Sequence, residues 1–397
     1  MTDIIYTRKY HINFMSYKGK SLFTILFLCL LITTPSLAQD KPYFDLGGAL
    51  RFNYNHSDWK KDSKKKGGEF GFDVFRLNLT GGYKKLIFDA EYRFYAKSSG
   101  GGMLKHGWFG YEFNDNHQLQ LGLTAVPFGI LPYTASNFFF NINYYIGLED
   151  DSDMGVKYLF TKNNWELAVA FFKNADILDF GDKSSVSPDR YGYDVGHRDK
   201  EVNTGNVQVN YNWGNQIKQQ FGVSGMLGGI YNVDTEEVGM RRALALHYTL
   251  SYRMWDFKTQ FTTYSMNPKK DVDEEGNPIS RNFVTMGAYG ANYDVVSKGE
   301  TYLAGLSYRI PINKGIFDEI KLYNDFSMLR KRVKGYKDSY QNVSGLMVTT
   351  GPIFTYIDYA LGKNHAWLGS EWNDAFAAGG AGSKWSARFN VNVGYYF

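Results

Sequence analysis

The chain holds a single cysteine, Cys29, and it lies inside an apolar run, SLFTILFLCLLI, at residues 21–32. Beyond residue 38 there are no thiols, which excludes disulfides, thiolate metal sites and cysteine nucleophiles there. Long hydrophobic runs are missing as well: no stretch after residue 38 approaches the ~20 apolar residues a membrane helix requires. An excess of one charge is the third absence. With residues 1–38 set aside, four basic residues and Asp3 go with them, and 44 Lys+Arg against 40 Asp+Glu become 40 against 39. A nearly neutral chain gives no ground for a nucleic-acid partner. Proline, at 9, is also scarce, so few positions interrupt a backbone hydrogen-bond ladder.

Aromatic residues are abundant instead, with 31 Tyr and 30 Phe, and their excess needs a place in the fold. Residues 1–38 read as a secretory signal. Arg8, Lys9, Lys18 and Lys20 precede the apolar run, and Ser36-Leu37-Ala38 supplies the small residues of a cleavage site. The exported remainder, 39–397, must then hold together without disulfides.

Alternation dominates that remainder. Leu86, Phe88, Ala90, Tyr92 and Phe94 share one face, with Asp89, Glu91 and Arg93 on the other. Leu119, Leu121 and Leu123 alternate with Gln118, Gln120 and Gly122, and Val207, Val209, Tyr211 and Trp213 with Gln208, Asn210 and Asn212. Phe389, Val391, Val393, Tyr395 and Phe397 alternate with Arg388, Asn390, Asn392 and Tyr396. A period of two with one apolar and one wet face is a strand signal. Sixteen strands are expected, at about 43–54, 70–82, 85–97, 104–113, 117–126, 152–160, 164–173, 204–213, 217–229, 240–252, 254–265, 301–310, 319–330, 342–350, 353–361 and 384–397. Short and long connections take turns, the rhythm of an outer-membrane barrel. Segment 282–290, NFVTMGAYG, is assigned to a loop, because a seventeenth strand would break that rhythm.

The expected fold is therefore all-β: one transmembrane antiparallel β-barrel over 39–397, with short periplasmic turns and long extracellular loops. Closure pairs every backbone group without water, which hydrocarbon demands. The aromatics then find a place in interfacial girdles, near Tyr43, Phe44, Phe160, Trp165, Trp213, Trp255 and Tyr395–Phe397. A soluble sheet protein with an aromatic core is the alternative. An alternating last strand ending in Phe397 resembles the signal that barrel-assembly machinery recognises, and it must also close the sheet against the first strand.

Four segments carry a family resemblance: GLTAVPFGI (122–130), LEDDSDMGVKYLF (148–160), GPIFTYIDYALGKN (351–364) and RFNVNVGYYF (388–397). In order and spacing they resemble the phosphate-selective porins O and P, in their Bacteroidota branch. The resemblance implies a sixteen-stranded barrel, commonly a homotrimer in the outer membrane of a Gram-negative bacterium, passing small anionic solutes by diffusion.

Parity gives an independent reading of the lumen. Arg51, Arg76, Arg93 and Arg388 face inward on the first, second, third and last strands, neighbours once the barrel closes, and are expected to cluster at mid-height. Lys157, Lys258, Arg309 and Lys321 also face inward. Guanidinium and ammonium groups in a water-filled channel attract anions. Asp45, Asp89, Glu91, Glu166, Asp256, Asp325 and Asp358 share that parity, so an internally neutralised lumen is the competing reading.

Loop 127–151 carries Phe138, Phe139, Phe140, Tyr144 and Tyr145. Folding into the barrel as a constriction would bury them; packing between subunits is the alternative. The run Glu149-Asp150-Asp151-Ser152-Asp153 reads as a cap at the start of a strand or a solvated rim, with a divalent-cation site less favoured. DVDEEGNP (271–278) is no calcium loop, because Asn282 stands where the bidentate acid belongs. Lys60, Lys61, Lys64, Lys65 and Lys66 can meet lipopolysaccharide phosphates, gather anions at the mouth, or simply be solvated. His247 and Ser251 share a face four residues apart, about 13 Å along a strand and too far for a nucleophile and its base. No metal, cofactor or catalytic set is assigned. The expected function is passive diffusion of small anionic or polar solutes across the outer membrane, sorted first by size and then by charge. An occluded structural or adhesive barrel and a barrel enzyme stay open as alternatives.

Overall fold

The computed structural model describes residues 41–397 apart from 179–184, 270, 273, 274, 276, 277, 280 and 381. The expected signal, 1–38, lies outside the described residues. Sixteen strands form a closed barrel: β1 Tyr43–Ser57, β2 Glu69–Tyr83, β3 Leu86–Phe94, β4 Gly102–Asn114, β5 His117–Ala125, β6 Ser152–Lys162, β7 Trp165–Asn174 and β8 Asp199–Trp213, then β9 Ile217–Asn232, β10 Val238–Tyr252, β11 Trp255–Asn267, β12 Lys298–Lys314, β13 Phe317–Lys331, β14 Ser339–Thr350, β15 Ile353–Lys363 and β16 Ser386–Tyr396. Each pairs antiparallel with its neighbour in the chain, and β16 returns to β1 with Val393 opposite Phe52. Phe397 completes the seam: its N–H donates to Gly48 O (3.1 Å), and Gly48 N–H donates to its carbonyl (2.8 Å).

Alternation fixes which side of each strand faces out. Phe109, Leu121, Val207, Leu244, Leu306 and Phe389 are exposed on the outer surface, whereas Gln208, Gln260, Asn390 and Asn392 are buried inside. The hydrophobic surface meets lipid and the polar surface fills the lumen, the reverse of a soluble core. Tyr43, Phe44, Trp165, Trp255, Tyr395 and Phe397 are exposed at the short-turn end. Turns there are tight. Gly214 has φ +88°, and a Cβ on it would lie 1.9 Å from Ile217 O, so that hairpin requires glycine.

Several strands run past their expected ends, β8 from Asp199 and β12 from Lys298 to Lys314. Hydrogen-bonded ladders continue beyond the bilayer, where the apolar alternation that marks a strand in sequence is no longer required. β3 instead stops at Phe94, because Tyr95 N–H turns to Gly101 O (2.9 Å) in a compact connection.

At the long-loop end lies a second layer. Segment 282–290, expected as a loop, instead contains the strand Phe283–Ala288. It pairs with Ala291–Val296 and Asp194–Val195 in a three-stranded sheet separate from the barrel ladder, so the barrel keeps sixteen strands. Val284, Met286 and Ala288 share one apolar face, as alternate residues of a barrel strand would, but that face joins a buried cluster with Ile142, Tyr145, Tyr193 and Phe376 rather than meeting lipid. The first long connection holds a six-residue helix, α1 Lys61–Lys66, with exposed lysines.

Candidate functional site

Loop 127–151 is drawn inside the barrel, and side chains on the lumen face hold its backbone. Gly129 N–H donates to Ser224 Oγ (3.0 Å) on β9, and Gly129 O accepts from Gln208 Nε2 (2.6 Å) on β8. Its φ is +68°, and a Cβ would meet the Gln260 amide at 2.6 Å, so the close approach depends on glycine. Ile130 N–H donates to Gln260 Oε1 (2.9 Å) on β11. On β13, Asp325 Oδ2 accepts from Ser136 N–H (2.8 Å), Asn137 N–H (3.2 Å) and Asn137 Nδ2 (2.8 Å). Asp358 on β15 accepts from Phe138 N–H (3.3 Å), and Gln341 Nε2 on β14 donates to Phe140 O (3.1 Å). The loop thus leaves β5 and reaches strands well round the ring. Its buried backbone finds partners on the wall, as a loop removed from water must.

The five aromatic residues are the loop's own packing. Phe140 stacks on Tyr144 with centroids 4.2 Å apart. Tyr145 OH donates to Phe139 O (2.8 Å), and Tyr145 O accepts from Tyr293 OH (2.6 Å) of the three-stranded sheet. Phe139 is buried against Val343, Ala360 and Leu368, while Phe138 lies under Arg51. Glu149 is buried beside Asn141 and Thr134, which donate to its carboxylate, and desolvation pushes its pKa up to about 7. With Asp151 and Asp153 also buried, the acidic run is no solvated rim.

Three of the four wall arginines come together. Arg76 and Arg93 stand opposite each other across β2 and β3, and Arg51 is two residues along β1 from Ala49, the partner of Arg76. Arg388 does not join them. It is opposite Ser57, six residues along β16 from Gly394, the partner of Arg51. At ~3.3 Å per residue that is about 20 Å. Counting from the turn misplaced Arg388 because antiparallel neighbours are staggered round a tilted barrel. Its guanidinium lies over Trp59 and Phe139, with Nε donating to Ser57 Oγ (3.1 Å).

Much of the positive charge is paired. Arg51 Nε is 2.9 Å from Asp73 Oδ2, and Glu91 receives both Arg93 (2.5 Å) and Arg76 (3.7 Å). Lys157 is buried and donates to Ala125 O (2.8 Å), fixing the root of the loop. On the opposing strands Lys258 Nζ donates to Tyr133 O (3.1 Å), Arg309 pairs with Asp256 (3.4 Å), and Lys321 lies among Lys258, Arg309, Asp256 and Asp325. Asp358 clasps the loop backbone, and Asp325 does so while lying near Lys321 and Lys258.

Parity missed Asp73. β2 carries a bulge: Arg51 faces Val74, yet Phe52 faces Phe72, so Asp73 is the extra residue. In sequence the signal is the phase slip between Phe70/Phe72 and Phe75/Leu77. Of the uncharged clasps, Gln208 is legible in sequence on the polar face of its strand, whereas Ser224, Gln260 and Gln341 are not singled out there, and none carries a mark of the loop it holds. Ser251 Oγ donates to Asp256 (2.5 Å), not to His247.

The closed barrel fold recurs in solved structures. The anion-selective porin from Comamonas acidovorans aligns over 90% of this chain and 100% of its own, at 14% identity and TM-score 0.56. The outer-membrane channel DcaP of Acinetobacter baumannii aligns over 90% and 97%, at 13% identity and TM-score 0.57. OmpT, an outer-membrane protein of Vibrio cholerae in trimer form, aligns over 90% and 100%, at 11% identity and TM-score 0.55. The fold is that of a porin. No protein-family model matches the chain, and no curated protein matches it. The likeness thus extends to general porin architecture and not to the phosphate-selective porins in particular.

Proposed function

We propose that this chain is an outer-membrane porin that passes small hydrophilic solutes by diffusion and favours anions, phosphate among them. The observation that carries the reading is the loop 127–151 clasped across the lumen by Gln208, Ser224, Gln260, Asp325 and Asp358. A loop held that way narrows a channel and sets its cross-section. The charge bias has a local basis. Arg51, Arg76 and Arg93 share Asp73 and Glu91, and Lys258, Arg309 and Lys321 share Asp256 and Asp325, so in each of these two patches cations outnumber the acids they meet; Arg388 adds its charge apart from both, over Trp59 and Phe139. Fixed charge beside water biases permeation in a salt-dependent way. The geometry favours transport over catalysis, since the Ser251 hydroxyl is committed to Asp256. A homotrimer in the outer membrane, with lipopolysaccharide around the α1 lysines and Phe397 read by the assembly machinery, completes the proposal; the trimer form of the Vibrio cholerae barrel supports it.

A second reading rests on the apolar cluster of Ile142, Tyr145, Val284, Tyr293 and Phe376 at the long-loop end, which could plug the barrel. Reversal potentials across a planar bilayer in a KCl gradient separate the two. The porin reading expects conductance with anion preference, reduced in Lys258→Gln/Lys321→Gln. Cation preference would overturn the charge assignment, and a silent bilayer would favour the plug.

A further inference from the structure

Loop 127–151 ends beside a group of carboxylates that transport does not use. Asp151 closes the loop, Asp153 is the second residue of β6, and Asp194 belongs to the three-stranded sheet. One oxygen from each lies within 4.8 Å of the other two. All three side chains are at least nine-tenths buried.

Acids in proximity do not by themselves make a site; the pairing around these does. Arg190 donates to Asp194 Oδ2 (2.7 Å) and lies 3.3 Å from Asp176. Arg241 is taken by Glu201 and by Gly147 O (2.9 Å). Two guanidinium groups thus face five carboxylates. Asp153 is in contact with neither, although both guanidinium charges act on it from a distance: it is 2% exposed, its buried Oδ1 has no partner, and among the described residues its side chain makes no hydrogen bond or ion pair. Asp151 Oδ2 and Asp194 Oδ1 likewise have no donor. Three converging anionic oxygens in a low-dielectric site are strongly unfavourable without a counter-charge.

We propose that Asp151, Asp153 and Asp194 bind one divalent cation of the calcium type, which fastens the end of loop 127–151 to the three-stranded sheet. The donor set is oxygen alone, which hard cations take. Calcium, with bonds of about 2.3–2.6 Å and a flexible coordination geometry, tolerates carboxylates set by a fold better than magnesium, which demands a near-ideal octahedron and keeps its waters. Asp151 and Asp153 come from the junction of the loop with β6 and Asp194 from the three-stranded sheet, so the ion cross-links two segments in a region that holds no disulfide. The inference stands whether or not the barrel conducts.

Terbium supplies the test, since Tyr191 and Tyr193 closely precede Asp194 in sequence and can sensitise its luminescence. Full-length protein in a non-ionic detergent, stripped with EDTA, is titrated with Tb³⁺ and then with Ca²⁺ or Mg²⁺. One saturable tyrosine-sensitised site is expected, displaced by Ca²⁺ at a concentration at least tenfold below that of Mg²⁺. Asp153→Asn should weaken it at least tenfold, while Asp62→Asn, on the exposed helix α1, leaves it unchanged. Limited proteolysis of unaltered protein covers the case in which Asp153→Asn fails to fold: Ca²⁺ should slow cleavage within 185–198 relative to EDTA. Absence of a saturable site in the unaltered protein, or an unchanged site in folded Asp153→Asn, refutes the assignment. Identical cleavage with and without Ca²⁺ refutes the cross-link.

Discussion

A one-residue bulge in β2 decides the surroundings of Arg51. Because Asp73 is inserted at the register slip, its carboxylate turns into the lumen, where it meets Arg51 and accepts from Asn392 Nδ2 (3.0 Å). Asp73→Asn should release that guanidinium to passing anions and raise the anion-to-cation permeability ratio by roughly two- to fivefold, what ~0.4–1 kcal/mol corresponds to at a partly hydrated pair. Arg51→Gln should move the ratio the other way; equal shifts of one sign in both variants would contradict the pairing. Glu149 gives a second residue-scale test. Its folded pKa is raised to about 7, so the stability tied to the neutral carboxyl is full below about pH 4.3 and is lost as pH rises through about 7. At ~1.4 kcal/mol per unit the change is on the order of 3 kcal/mol. Hydrogen-exchange protection of 134–149, corrected for intrinsic rates, should fall between pH 5 and 8, and Glu149→Gln should abolish that dependence. Constant protection across the range would remove Glu149 as its cause.

Among elements, the inward loop matters most, and its clasps show where sequence reading stops. Alternation placed all sixteen barrel strands, because lipid imposes one apolar face on each, and it gave Asp325 and Asp358 the right side of the wall. It could not say what they bind, since a partner 188 or 220 residues away leaves no periodic trace. Arg388 failed for a related reason: its parity was readable, but its height depends on the stagger of the closed sheet. Segment 282–290 showed a strand pattern whose apolar side meets a folded loop instead of lipid, and period alone does not distinguish the two. Asp325→Ala deletes three hydrogen bonds to a charged acceptor, each worth about 1.5–3 kcal/mol. It should leave the barrel heat-modifiable on gels yet loosen residues 136–137, seen as faster exchange there and noisier open-channel current. Unchanged exchange would mean that the remaining clasps hold the segment alone.

For the whole molecule, stability and permeation come from the same asymmetry, an apolar exterior around a polar interior. Closure through Phe397 and Gly48 leaves the barrel no sheet edge, which is how a chain without thiols beyond residue 38 satisfies its barrel backbone in hydrocarbon. In the proposed function, the loop layer then narrows that barrel. The most direct measurement is single-channel conductance in a planar bilayer, comparing the unaltered protein with a variant in which residues 132–146 are replaced by a short Gly-Ser link. A several-fold larger unit conductance and weaker ion preference in the shortened protein are the results expected of a lumen narrowed by this loop. Equal conductance in the two proteins, or no channels from either, would contradict it.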